Sequence, residues 1–188
     1  RIDQGYVFVR NPMNIHQISK INIQPEAVDS IVFWTKNPKL FINRLKNIEK
    51  YNFYFQYTVT GYGRKLEPNV PSLEDSLNCF ITLSKIIGSN RVIWRYDPIV
   101  LTDKHNIEYH INNFDYIAGR LSEHTYKCVI SFVDYYKKTI KNMSHVKYAH
   151  ISVEQIYKLS ESLALIGKKY GKRIASCAEE IDLKKYGI

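Results

Sequence analysis

Short apolar runs that end in polar residues, most of them followed by a helix pattern, organise this chain. Five stand out: Ile31-Val32-Phe33-Trp34 before Thr35-Lys36-Asn37-Pro38, Tyr54–Val59 before Thr60-Gly61, Val92-Ile93-Trp94 before Arg95-Tyr96-Asp97-Pro98, Val129-Ile130 before Ser131-Phe132-Val133-Asp134, and Arg173-Ile174-Ala175 before Ser176-Cys177. Alternation of such runs with helices predicts parallel strands in one α/β layer or barrel. Ligands in these folds bind at the carboxyl ends of the strands, where the polar clusters fall.

The segments between the runs carry their own signals. Residues 38–49 show a helix pattern with Leu40, Phe41, Leu45 and Ile48 on one face. Ser72 and Asp75 form an S-x-x-D capping signal, and Leu73, Leu77, Phe80, Ile81 and Ile87 form the stripe that follows, ended by Gly88. A helix over about 106–121 turns Ile107, Ile111, Phe114, Ile117 and Leu121 inward, and Tyr135 to Met143 reads as a short helix. Ser152 and Gln155 make a second capping signal before Ile156, Leu159, Leu163 and Ile166. Residues 61–71 hold Gly61, Gly63, Pro68 and Pro71, which forbid continuous structure; a long loop after a strand is often functional.

At the start, Tyr6-Val7-Phe8-Val9 reads as a strand, Arg10–Asn14 as a turn, and His16–Ile23 as a run of period two that pairs back as a hairpin or edge strand. Counting Tyr6–Arg10 gives six parallel strand candidates. A closed barrel needs eight strands and typically about 250 residues. The expectation is therefore one α/β domain over 1–188, a partial or open TIM-like (βα) barrel with an extra N-terminal hairpin or edge strand. A flat doubly wound sheet is the alternative. The opening on Arg1 and a strand pattern reads as a segment of something longer.

Composition changes the picture only in part. The chain has 188 residues, 45% hydrophobic and 24% charged, as in globular domains. No stretch of about 18 apolar residues occurs, so no membrane partner is expected. Net charge is +9, which fits anionic partners, yet no dense Lys/Arg run appears and a lysine-rich solubilising surface is the favoured reading. Cys79, Cys128 and Cys177 lie far apart without C-x-x-C spacing, so neither a disulfide framework nor a zinc ribbon is supported, and a reducing cytoplasm is the simplest setting.

The candidate site residues follow from strand alternation. Arg95 and Asp97 share one face just before Pro98 and can orient a polar ligand; the plainer reading is an ion pair sealing the barrel end. Arg10 and Lys36 each follow an apolar strand and precede Asn-Pro, and converging on one mouth they make an anion site. Gln56 and Thr58 alternate with apolar neighbours and mark a wet strand face. Ser131, Asp134, Glu179 and Glu180 complete the set. Asp97, Asp134 and Glu180 are the expected catalytic carboxylates, and Arg10, Lys36, Gln56, Thr58, Arg95 and Ser131 the expected ligand-binding residues. At most one of Glu179 and Glu180 faces the site, because adjacent strand residues point oppositely. No metal-ligand spacing, nucleophile elbow or Walker loop is present. The six scattered histidines read as surface residues.

Six segments carry a family resemblance: Gly5–Pro12, Ile31–Pro38, Gly61-Tyr62-Gly63 with Glu67–Leu73, Arg91–Pro98, Lys127–Asp134 and Cys177–Leu183. Through them the chain resembles the bacterial domain-of-unknown-function family numbered 1848. The resemblance implies a TIM-barrel-like domain. It also implies an extra first strand with an S-R-R-T-D-like segment and a terminal C-x3-C-x2-C region. That spacing is similar to the iron–sulfur motif of radical S-adenosylmethionine enzymes. Neither piece is in this sequence, so an iron–sulfur cluster and S-adenosylmethionine are implied by the family alone, and the residues present require no cofactor.

Two functions from different classes follow. The first is an enzyme-type domain binding an anionic small molecule at the strand carboxyl ends. The second is a nucleic-acid-binding module using a basic, aromatic-rich surface with 15 tyrosines. A structural domain without a pocket is a weaker third.

Overall fold

The computed structural model describes residues 1–144, 146–177, 179 and 181–188, apart from the side chains of Lys138 and Asn142. Seven strands form two sheets. Strands β1 (Tyr6–Asn11) and β2 (Asn14–Asn22) make an antiparallel hairpin of their own. Strands β3 (Ile31–Thr35), β4 (Phe53–Thr58), β5 (Val92–Ile99), β6 (Lys127–Phe132) and β7 (Arg173–Ser176) form a parallel sheet in the order β3-β4-β5-β6-β7. Helices are α1 (Lys39–Ile42), α2 (Leu73–Ile87), α3 (Ile107–Arg120), α4 (Lys137–Asn142) and α5 (Val153–Lys169).

The hairpin corrects one expectation. Tyr6–Arg10 does not enter the parallel sheet; it pairs with β2, Val7 opposite Ile21 and Arg10 opposite Ile18. Period-two alternation in β2 supplies a closer, antiparallel partner joined by a tight turn, and that local pairing wins over a long crossover. At its base the Tyr51 hydroxyl donates to the Ile23 carbonyl at 2.6 Å.

Sequential strand order with right-handed crossovers places the connecting helices on one face of the sheet. The core agrees with that. Phe55, Tyr57, Trp94, Tyr96, Cys128 and Ile130 are buried with Leu77, Phe80 and Leu83 of α2, Phe114 and Ile117 of α3, and Leu159 and Leu163 of α5. Tyr57 stacks on Phe80 and Trp94 on Phe114, with ring centroids 5.3 and 4.6 Å apart. The alternate residues, Trp34, Gln56, Thr58, Ile93, Arg95, Asp97, Val129 and Ser131, belong to the other face. β3 and β7 are the two edges of this sheet.

Helix boundaries follow the capping signals. The Ser72 hydroxyl accepts from the Asp75 N–H at 3.1 Å and itself donates to the Asp75 carboxylate at 2.6 Å. Ser152 and Gln155 form the full reciprocal box at 3.2 and 2.9 Å. Residues 38–49 differ from expectation. They break into α1 and a 3-10 turn at Leu45–Ile48, which buries Leu45 and Ile48 but leaves Leu40 87% exposed. The residue at the start of α1 is Pro38, which has no side-chain acceptor, so only Asn37 Oδ1 takes a first-turn N–H, that of Lys39 at 3.2 Å, and a nucleus of four residues has too few bonds to propagate. The three cysteines are unpaired thiols.

Candidate active site

Strand β5 builds the centre. Trp94 and Tyr96 point into the helix layer, and Trp94 donates to the Val59 carbonyl at 2.9 Å. Alternation turns Arg95 and Asp97 to the opposite face. Arg95 is only 8% exposed. Its Nε donates to Asp97 Oδ2 at 2.8 Å, its Nη2 donates to the same oxygen, and its Nη1 donates to Gln56 Oε1 at 2.6 Å. The other Asp97 oxygen accepts from the Ser131 hydroxyl. The Trp34 ring, 69% exposed on β3, lies 5.0 Å from the guanidinium carbon. Four predicted residues, Gln56, Arg95, Asp97 and Ser131, thus form one connected network at the carboxyl ends of three neighbouring strands.

Its electrostatics are set by burial against pairing. Burial disfavours the charged guanidinium, but the Asp97 carboxylate, and after it the Cys177 sulfur, more than offset this and hold Arg95 charged. Glu179 accepts from the Phe132 N–H at 2.7 Å. Burial pushes its carboxyl above the usual range, the Phe132 N–H opposes this, and the negative charges of Asp134 and Asp97 raise it further. A carboxyl so placed can hold or release a proton nearer neutrality.

A second pair borders the first. Lys36, just past β3, pairs with Glu67, whose other oxygen accepts from the Thr60 hydroxyl at 2.9 Å. Thr58 lies beside Arg95 in the β4–β5 register and lines a small cavity of about 10 Å³ with Glu67 and Ser76, room for one water at most. Asp134 is exposed beyond β6 and accepts from the Tyr136 hydroxyl at 3.2 Å. Arg10 is exposed on the hairpin, and no described hydrogen bond or ion pair joins it to the network. Glu180 lies outside the described residues.

Behind the site a buried polar chain fixes the strand exits. His110 of α3 is fully buried, against the surface position expected from sequence. Its Nδ1 faces the Tyr96 hydroxyl at 2.8 Å and its Nε2 faces the Val100 carbonyl at 3.0 Å. A carbonyl only accepts, so Nε2 carries the proton and Nδ1 accepts from Tyr96. Asn113 donates to Tyr96 Oη and to the Thr60 carbonyl at 3.0 and 2.7 Å. The Tyr62 hydroxyl donates to the Pro98 carbonyl and accepts from the Val100 N–H at 2.9 and 2.8 Å. The loops after β4 and β5 are therefore tied to each other and to α3.

Sequence reasoning missed Glu67, Trp34 and His110 as partners of the site. The signal for Glu67 was a carboxylate inside a long loop after a strand. Trp34 at the end of its apolar run marked a ring at the rim. His110 gave no signal, because its partners Tyr96 and Val100 come from another element.

One family model, "Domain of unknown function (DUF1848)", matches residues 1–188, the whole chain. The chain belongs to the DUF1848 family. Comparison with curated proteins and with solved structures gives no match. Cys79 sits on α2, Cys128 inside the core on β6 and Cys177 beyond β7, and among the described residues no three His, Cys, Asp or Glu side chains gather to hold a metal. No helix of the described residues is long and apolar enough to cross a membrane.

Proposed function

We propose that this DUF1848 domain is an enzyme-type module, an open TIM-like (βα) layer that binds an anionic small molecule on the face at the carboxyl ends of β3–β6. The observation that carries the reading is Arg95: a guanidinium 8% exposed, at the exit of the middle strand, oriented by Asp97 and Gln56. An arginine has five N–H donors. Those internal bonds use one N–H on each nitrogen, the Cys177 sulfur accepts beside them, and the donor left over serves a carboxylate or phosphate oxygen in a fixed plane.

Charge narrows the ligand. Arg95 is matched by Asp97 and Lys36 by Glu67, so this face has no surplus of positive charge for a polyanion. A ligand with one anionic group and a polar or ring portion suits it, the ring packing on exposed Trp34. Glu179 is placed for proton transfer, Asp97 and Ser131 position Arg95, and Thr58 and Gln56 give polar contacts.

The test is calorimetric titration with inorganic phosphate and with small mono- and dicarboxylates. Arg95→Ala should weaken binding by about tenfold or more and Lys169→Ala by about fivefold or less, since a charge-assisted bond in a partly desolvated site contributes about 1.5–3 kcal/mol and an exposed charge about 1 or less. Equal losses would replace this reading with the nucleic-acid module, in which diffuse surface charge does the binding.

A further inference from the structure

At the other end of the sheet lies a group of cations that, among the described residues, have no carboxylate partner. A cavity of about 450 Å³ opens beside the amino end of β7, between α5 and the 3-10 turn Lys184–Tyr186. Its wall includes Lys168, Lys172, Arg173, Lys185 and Tyr186, and Glu161 is its one acidic residue. Such a volume lies within the range of small-molecule sites.

The four cations differ in what already holds them. Lys172 is buried and its ammonium donates to the Leu121 and Thr125 carbonyls at 2.7 and 2.9 Å, so only its aliphatic stem serves the cavity. Lys185 lies 3.9 Å from the centre of the Tyr157 ring and 4.9 Å from that of Tyr186. The rings hold the ammonium in place without using up its charge. Lys168 and Arg173 are exposed, and neither side chain is ion-paired among the described residues. At the carboxyl end, by contrast, both Lys36 and Arg95 are matched by acids.

We propose that this cavity is a phosphate-binding site distinct from the Arg95 face, with Arg173 as the planar donor and Lys168 and Lys185 as flanking charges. Arg173, Lys168 and Lys185 against Glu161 leave two positive charges in excess before the buried Lys172 ammonium is added, enough to match a phosphate dianion. A guanidinium offers paired N–H donors to phosphate oxygens, and lysines add mobile point charges around them. The phosphate belongs to a phosphorylated small molecule or to a polynucleotide backbone; both present the same oxygens.

Calorimetric titration separates these sources, with inorganic pyrophosphate in one arm and a single-stranded oligothymidylate in the other. The variant Lys168→Ala/Arg173→Ala/Lys185→Ala should lose about tenfold or more in affinity for the probe that binds. The charge-matched control Lys46→Ala/Lys50→Ala/Lys104→Ala, all exposed positions away from the cavity, should lose about twofold or less. Glu161→Gln should tighten binding, a gain that misfolding does not mimic. Pyrophosphate binding lost in the first variant assigns a small phosphorylated ligand; oligothymidylate binding lost while pyrophosphate fails assigns the polynucleotide. Equal losses in the two triple variants, no binding of either probe at millimolar concentration, or no gain in Glu161→Gln would overturn the proposal. None of these substitutions touches Arg95, so the two sites stand or fall separately.

Discussion

His110 and Arg95 show two ways in which this chain keeps a titratable group out of water. Burial pulls the His110 imidazole down from 6.5 to about 4, opposed by the bond to Val100. A depressed folded value means the unfolded chain binds the proton more readily. The contribution to stability is therefore complete above about pH 6.5 and is lost as pH falls towards 4. That interval corresponds to about 3 kcal/mol. Urea unfolding across pH 4–7 should show wild type losing about that much more than His110→Gln; parallel curves would mean that other groups account for the acid transition. Glu179 acts in the opposite sense, because its raised folded value adds stability that fades as pH rises. Arg95 stays charged through Asp97, and removing either partner strands the other in a poorly hydrated place. Arg95→Met and Asp97→Asn should each destabilise, while the double variant costs less than their sum by about 1–3 kcal/mol. Additive losses in the double-mutant cycle would show that the pair is energetically uncoupled.

Elements report how closely the pieces fit. At Gly167 of α5 an added Cβ would lie 2.6 Å from Ile174 Cγ1 and 3.1 Å from the Lys172 carbonyl oxygen. Ile174 can shift its side chain, but the Lys172 carbonyl is backbone, and the N–H of Lys172 donates to the Gly167 carbonyl at 2.8 Å. Gly167→Ala should therefore cost about 1–3 kcal/mol despite the better helix propensity of alanine. Gly63→Ala, with nothing within 4 Å, should change the unfolding midpoint little. A neutral Gly167→Ala would mean that α5 slides freely on β7. The same elements show why the sequence was readable. Parallel strands buried by helices need apolar runs, and each of the five runs became a strand within a few residues of its expected bounds. Alternation along β4 and β5 then placed Gln56, Arg95 and Asp97 on one face. Tyr6–Arg10 has the same local pattern as an edge strand, and only the pairing with β2 decides its sheet. Glu67 and His110 were not legible as partners, because a loop and a helix bring them in from positions that strand periodicity does not govern.

At the scale of the whole molecule, two sheets of unequal support share one chain. The five-stranded sheet is backed by α2, α3 and α5, and residues of β4, β5 and β6 are fully buried against them. The hairpin has no such backing: every residue of β2 is exposed, and Phe8, Ile15 and Ile18 are open to solvent. An isolated two-stranded hairpin is only marginally stable in water. Its ladder should open without the sheet opening, as a separate low-stability unit. Native-state hydrogen exchange should then find the amides of Tyr57, Tyr96 and Ile130 exchanging only with global unfolding, while those of Val7, Val9 and Ile18 exchange at least about a hundredfold faster. Added urea should accelerate the first group steeply and the second hardly at all, because local opening exposes little new surface. Hairpin amides as protected and as urea-sensitive as those of β5 would show that β1 and β2 unfold as one body with the parallel sheet, and that its exposed apolar side chains are held by packing stronger than the base contact at Tyr51 and Ile23.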